Sequence, residues 1–401
     1  MTRMVQTGSF RWMKSINKSI ILNVIRQQGP IPRAEIAKVT QLTPPTVTNI
    51  VGELLDAGIV VECELGESTG GRKPILLRIN ASTFGVIGVY AGVDRIHALS
   101  ADLDGNIEGE AEALIPPNPD RAVYIRSIID VIHQLAAPIS RSGRPLLGMG
   151  VGMNGWVDNE RGISLCSPNL HLQNIPLRDI LEREFAVPVE VENGVRTLAM
   201  GESWFGEGLE VEDFISVDIG AEVGAAFVMK KNLVYGPSFT AGELGHTTVD
   251  SDGPLCRCGN RGCLEVFASS SAMIKRVQEG LDAGVVSLLA HSKGTLTSRK
   301  IFEAARIGDA FAMEVLIDIG GYLGIGLANV VNLFNPRRII LCGEMINQAP
   351  FVVNTIRETV ERRALATPVA DVTILPTGLG KNGGAIGAFT LVLQKLFQPQ
   401  H

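Results

Sequence analysis

Long apolar runs are missing from this chain: nowhere in its 401 residues do about 18 apolar residues follow one another without interruption, as a membrane-spanning helix requires. The opening MTRMVQTGSFRWMK also lacks the apolar core of a signal peptide, so the expectation is a cytoplasmic protein with no membrane partner. Aromatic residues make up only 5% and charged residues 19%, while hydrophobic residues reach 45%, a balance that excludes a solvated, disordered chain. Only six cysteines occur, and three of them fall within eight residues. Glycine is plentiful at 44 residues, which suits an α/β protein with many tight turns, and the length suffices for two or three compact units.

Charge is unevenly spread. Residues 1–80 carry ten Lys/Arg against six Asp/Glu, a net of +4, so the rest of the chain carries −10 within the overall −6. A basic amino-terminal module on an acidic body is the pattern of a phosphate-binding head on a regulatory body, although chance variation in surface charge produces it too. Ile16, Ile20, Ile21, Val24 and Ile25 recur at helical spacing up to Gly29-Pro30 and predict an amphipathic helix. A short helix follows from about Arg33 to Val39, with Ile36 and Ala37 inward. A third starts at Pro44 behind Thr43, a good N-cap, and runs toward Gly58 with Val47, Ile50, Val51 and Leu54 on one face.

That face leaves Pro45, Thr46, Thr48 and Asn49 exposed near the amino end, where the recognition helix of a helix-turn-helix reaches base edges in the major groove. A purely structural three-helix bundle carries the same apolar pattern. The next stretch, GIVVECELGESTGGRKPILLRIN, reads as strand, glycine-rich tip and strand, with Arg72 and Lys73 at the tip. Together these segments predict a winged helix-turn-helix bound to a double-stranded DNA operator, its wing lying along phosphates or entering a narrow minor groove. Taken alone, GGRKP is equally a solvated hairpin tip.

From Phe84 apolar strands with glycine turns, FGVIGVYAG, LLGMGVGMNGWVD, DFISVDIGAEVGAAFVM and RRIILCGEM, alternate with helical stretches at 122–137, 178–185, 269–280 and 310–333. The class is α/β, and strand-rich halves on either side of about Gly201 predict two lobes around a ligand cleft. His246, Cys256, Cys258 and Cys263 stand in GELGHTTVDSDGPLCRCGNRGCLE, among glycines that let the backbone wrap a small ion. One His and three Cys make a closed tetrahedral shell for one structural Zn2+ per chain. A disulfide and an incidental cluster are the alternatives; disulfides are rare in a cytoplasmic protein, and Cys256 and Cys258 are too close in sequence to pair comfortably. Cys63, Cys166 and Cys342 are scattered and read as small core residues.

GELGH followed by CxCGxxGCLE resembles the signature of the ROK family, which contains bacterial sugar kinases and repressors descended from them. GMNGWVDNERG, SPNL, VENGVRTLAMGE and NLFNPRRIILCGE resemble further family segments in the expected order, so the resemblance covers essentially the whole chain. It implies two actin-like (ribonuclease H-like) lobes and, as in the repressor branch, an amino-terminal winged helix-turn-helix. The domains implied are the head at 1–82, a first lobe at 83–195 completed by a carboxyl-terminal helix at 385–400, and a second lobe with the zinc site at 196–384. The sugar-binding positions carried over are Gly155, Asn169, Asn193, Glu243, His246 and Glu265. His246 would serve the zinc through one ring nitrogen and a sugar hydroxyl through the other.

The chain departs from the family's kinases at three places. The aspartate that follows the asparagine in the VENGVRT segment, the catalytic base of those kinases, is Gly194 here. In the first phosphate loop, GVYAGVDRI, Tyr90 replaces an aspartate and Val93-Asp94 replaces Gly-Thr. In the second, DIGAEVGAA, Glu222 stands where a small residue is normal. The expectation is a repressor with no enzymatic activity, responsive to a small sugar and assembled as a homodimer or higher homo-oligomer. Resemblance of the head and wing to the xylose-repressor group of that family implies a pentose or a plant-derived oligosaccharide as effector. Gly194 is expected to open room for a different or substituted sugar. A sugar kinase with an accessory head, and a repressor controlled by docking on a sugar-transporter protein, are the competing readings.

Overall fold

The computed structural model describes residues 10–65, 74–292 and 296–399. In the head, α1 (Phe10–Gln28), α2 (Arg33–Thr40) and α3 (Pro44–Asp56) pack around Ile21, Leu22, Ile25, Ile36, Val47, Ile50, Val51 and Leu54. Leu22 faces this core while Ile20 is 40% exposed, the reverse of the expected stripe at that turn. Thr43 caps α3 by accepting from the Thr46 N–H. Strands β1 (Ile31–Pro32), β2 (Val60–Leu65) and β3 (Ile75–Ile79) form an antiparallel sheet ordered β1-β3-β2. Arg72 and Lys73, expected at the wing tip, lie outside the described residues.

The body repeats one plan twice. In the first lobe β4 (Gly85–Ala91), β5 (Arg95–Ala101) and β6 (Ile107–Leu114) run antiparallel. After α4 (Arg121–Arg141), β7 (Leu146–Met153) joins β4 in parallel. A small sheet of β8 (Trp156–Asp158), β9 (Ile163–Ser167) and β10 (Leu172–Ile175) follows, then α5 (Leu177–Phe185) and β11 (Val189–Asn193), which extends the main sheet to the order β11-β7-β4-β5-β6. Helix α6 (Gly194–Phe205) leads across, so the expected boundary between 195 and 196 lies within its first turn.

The second sheet, β14-β13-β12-β15-β16, again pairs an antiparallel side with a parallel side. Its strands are β12 (Phe214–Ile219), β13 (Val223–Met229), β14 (Asn232–Leu233), β15 (Arg338–Cys342) and β16 (Thr373–Pro376). Around it lie α7 (Glu265–Ala268), α8 (Ser270–Asp282), α9 (Ser298–Arg306), α10 (Ala310–Phe334), α11 (Glu344–Gln348), α12 (Phe351–Arg363) and α13 (Ala366–Asp371). Helices α4 and α10 are long and apolar enough to cross a membrane, but the buried side chains of each belong to a lobe's core. Among the scattered cysteines Cys342 is buried, as expected, while Cys63 and Cys166 are only half-buried.

The last helix, α14 (Gly383–Phe397), returns to the first lobe and lies on β4, β7 and α6. Glycines allow this approach: a Cβ at Gly387 would overlap the Thr197 carbonyl of α6, and one at Gly150 the Ala388 carbonyl of α14. The far end of α14 receives the head. Ser19 Oγ and Asn23 Nδ2, the latter at 2.8 Å, both donate to the Phe397 carbonyl. The Arg26 guanidinium stands 4.0 Å from the ring centroid of Trp204 and 5.1 Å from that of Phe397. The apolar core of the head continues into Val86, Leu99 and Phe389, so the head is packed on the body and not tethered to it. Gly387→Ala, which forces α6 and α14 apart, is expected to cost about 1–3 kcal/mol or more, read as a lowered urea midpoint.

Candidate functional site

The cleft is built from three approaches of the chain. After β7 the chain turns through Asn154 and Gly155. Gly155 takes φ +88°, and a Cβ there would overlap the Cys166 carbonyl, so the backbone itself demands glycine. The Gly155 carbonyl accepts from Asn193 Nδ2 at 2.7 Å. Asn193 Oδ1 in turn accepts from the N–H groups of Val195 and Arg196, at 3.0 and 3.2 Å. Asn193 therefore holds the turn and caps α6 at once.

One turn along α6, the buried Arg196 pairs with Glu192 at 3.3 Å and donates to the carbonyls of Phe239 and Ala241, at 2.7 and 3.3 Å. It thereby pins the segment that leads to Glu243. Trp156 Nε1 donates across the cleft to Glu243 Oε1 at 2.9 Å, and Glu243 Oε2 lies 3.9 Å from His246 Nε2.

Glu222, on the turn between β12 and β13, binds the other side. Its Oε2 accepts from Asn154 Nδ2 at 3.0 Å and its Oε1 from Asn169 Nδ2 at 2.5 Å. Arg257 donates to Glu222 Oε1 and to Asn169 Oδ1, and stands 3.3 Å from Glu265 Oε1. Burial pushes the Glu265 carboxyl above the ordinary carboxylate range, with Arg257 opposing the rise. Gly155, Asn169, Asn193, Glu243, His246 and Glu265 are thus brought to one interlobe region. Asn154, Trp156 and Arg257 were not among the expected residues, although GMNGWVD and CRC contain them; Glu222 was expected only as an obstacle to phosphate. A separate cavity of about 340 Å³, lined by Arg95, Arg299, Arg306, Glu303, Glu344 and Gln348, holds none of these groups.

Beside the cleft, the ligand atoms of His246, Cys256, Cys258 and Cys263 all lie within 4.8 Å of one another. Cys256 Sγ is 3.7 Å from His246 Nδ1, and Cys258 Sγ is 3.7 Å from Cys263 Sγ. A tetrahedron with arms of about 2.0–2.3 Å has edges of about 3.5–3.8 Å, so the cluster can hold a metal ion of zinc's size and ligand preference. The same sulfur separation is far longer than a disulfide bond. Because Nδ1 faces the thiols, Nε2 is left facing Glu243.

The lobes also meet at Tyr90. Tyr90 donates from β4 to Asp218 Oδ2 of β12 at 3.2 Å. Its ring covers Gly194, where a Cβ would stand 3.0 Å from Tyr90 Cε2, and also presses on Gly384. The expectation that Gly194 opens room for a sugar substituent is therefore wrong: the phenol fills that room.

In the head, Pro45, Thr48 and Asn49 are exposed on α3 as expected. Thr46 is half-buried and its hydroxyl is 2.8 Å from that of Thr43, so it serves the helix cap.

Similarity to known proteins agrees with both parts. A family model described as the ROK family matches residues 86–395, and one described as winged helix-turn-helix DNA-binding matches residues 16–61. A xylose repressor from Caldicellulosiruptor bescii is 32% identical over 97% of this chain and 98% of its own length. The DNA-binding transcriptional dual regulator NagC of Escherichia coli is 31% identical over 96% and 94%. A crystal structure of a ROK family transcriptional regulator, a homolog of the E. coli MLC protein, superposes with a TM-score of 0.85 at 28% identity, covering 96% of this chain and 97% of that one. A ROK family glucokinase from Streptomyces griseus, in complex with glucose and AMPPNP, gives 0.69 at 29% identity, covering 77% and 99%.

The interlobe floor carries a pH signature. Burial pushes the Asp218 carboxyl up to about 6, against the Tyr90 hydrogen bond and with the Glu222 charge adding to the rise. A carboxyl held above its unfolded value stabilises the fold below pH ~4, and that contribution is lost as pH rises through about 6. Asp218→Asn is expected to remove this loss, gaining on the order of 1–3 kcal/mol over the native chain at pH 8 and little at pH 4, measured by urea unfolding at both.

Proposed function

The chain belongs to the ROK family, and from that membership we propose that it is a sugar-responsive DNA-binding transcriptional repressor of carbohydrate-metabolism genes, its kinase-like body retained as a sensor. The observation that carries this reading is the course of α6. Asn193 and Gly194 at its start belong to the cleft, and Trp204 near its end lies under Arg26 of the head. Its 12 residues span about 18 Å, and its close contact with α14 makes the two move as one body. A sugar that changes the interlobe distance through Asn193, Glu243, His246 and Glu265 therefore displaces the surface on which the head rests. In a homodimer on a palindromic operator, that displacement alters the spacing of two heads. The sugar must bind the DNA-free arrangement more tightly, because equal affinity for both shifts nothing.

Phosphoryl transfer needs a base at the attacking hydroxyl and open loops around the phosphates. Gly194 offers no base, Tyr90 covers its position, and Glu222 puts a carboxylate into the second loop. Loss of the base alone removes about 10²–10⁴ in rate. The relative named as a xylose repressor makes xylose the first effector to test. Operator DNA taken from upstream of the chain's own gene, followed by fluorescence anisotropy, is expected to be released by at least one sugar of a broad panel. Trp204→Ala is expected to keep sugar binding and sugar-free operator affinity while losing most of the release. Operator affinity that no sugar alters sinks the sensor reading, and transfer of labelled phosphate from ATP to a sugar sinks the loss of catalysis.

Zinc, one per chain, would be held by His246, Cys256, Cys258 and Cys263 as a structural ion that fixes the loop and the ring orientation of His246. Metal analysis of the pure protein is expected to give one zinc per chain, and Cys258→Ser to lower both the zinc content and the affinity for sugar. A folded, sugar-binding protein without metal contradicts this assignment.

A further inference from the structure

We propose that the cleft sorts saccharides by charge, accepting uncharged sugars and refusing their phosphate esters, and that Glu222, balanced by Arg257, is the residue that decides. The inference rests on the sugar-sensor reading above and narrows its ligand to one chemical class.

Two carboxylates, Glu222 and Glu265, face the guanidinium of Arg257 in this interlobe network, and a third, Glu243, stands beside His246. That guanidinium is already shared: it donates to Glu222, approaches Glu265 at 3.3 Å and donates to Asn169. An incoming sugar hydroxyl finds carboxylate oxygens that accept and a His246 Nε2 that faces Glu243, so an uncharged polyol is matched group by group. A phosphate ester finds no unspent cation among these groups. To pair with Arg257 it must displace Glu222, which would leave that carboxylate without its charge partner, next to Asp218, in a partly desolvated cleft.

Glu222 is the decisive member because of its position. It bridges Asn154 and Asn169 of the first lobe to Arg257 of the second, so any ligand seated among these groups lies against it. Glu243 differs, being spent on Trp156 and 42% exposed. Neutralising Glu222 keeps the shape of the network and releases the guanidinium, which converts a closed charge pair into an anion partner.

Isothermal titration of the full chain with matched pairs tests this: D-xylose and xylose 5-phosphate, D-glucose and glucose 6-phosphate, N-acetylglucosamine and its 6-phosphate. In each pair that binds, the free sugar is expected to be at least about tenfold tighter than the ester. Glu222→Gln is expected to narrow that ratio to about threefold or less, with ester binding that weakens as salt is raised. Arg257→Gln, an independent variant, is expected to widen it. An ester that binds the native chain as tightly as its parent sugar overturns the proposal, as does a ratio that Glu222→Gln and Arg257→Gln both leave unchanged. Binding of neither form in any pair overturns the sensor reading itself, and this proposal with it.

Discussion

The close contact of α6 with α14 is the constraint on which the rest of this structure depends. A side chain at Gly387 of α14 would collide with the Thr197 carbonyl of α6, and Gly201 sits with its nearest α14 backbone atom, the Gly383 carbonyl, 2.9 Å from where a Cβ would stand. Two helices packed backbone to backbone have little freedom to slide, because interiors at crystal-like density have discrete arrangements and resist continuous deformation. One end of this pair is in the cleft through Asn193, and the other carries Trp204 and Phe397 under the DNA-binding head. The head is thus coupled to the cleft by contact and not by a linker.

The cleft itself has two halves with different chemistry. One half is a polar network in which Asn154, Asn169, Glu222, Arg257, Glu243 and Trp156 reach across from lobe to lobe. The other side is sealed by Tyr90, whose ring lies on Gly194 and Gly384 and whose hydroxyl reaches Asp218. Tyr90 and Gly194 therefore share one volume: a side chain at 194 would meet the ring, and a smaller residue at 90 would leave a gap.

Local features were legible because their causes are local. Thr43 before Pro44, the apolar face of Val47, Ile50, Val51 and Leu54, and the spacing of Cys256, Cys258 and Cys263 each act over a few residues, and each stands where the pattern puts it. Where two residues compete for one role, pattern was insufficient. Ile20 and Leu22 are both apolar in α1, and only the packed tertiary structure decides that Leu22 goes inward while Ile20 stays 40% exposed. Thr46 looked free to meet DNA, but its hydroxyl lies within reach of that of Thr43.

By itself the sequence determined the element types, the winged head, the cluster of one histidine and three cysteines, and the family of the body, since these follow from periodicity, capping and motif spacing along the chain. Only the tertiary structure decided that Tyr90 occupies the space above Gly194, that Glu222 and Arg257 close a charge network across the lobes, and that Arg26 rests on Trp204. The physical reason is distance in the chain: these partners are separated by 35 to 178 residues, and no local propensity specifies which side chain fills which volume when two lobes meet.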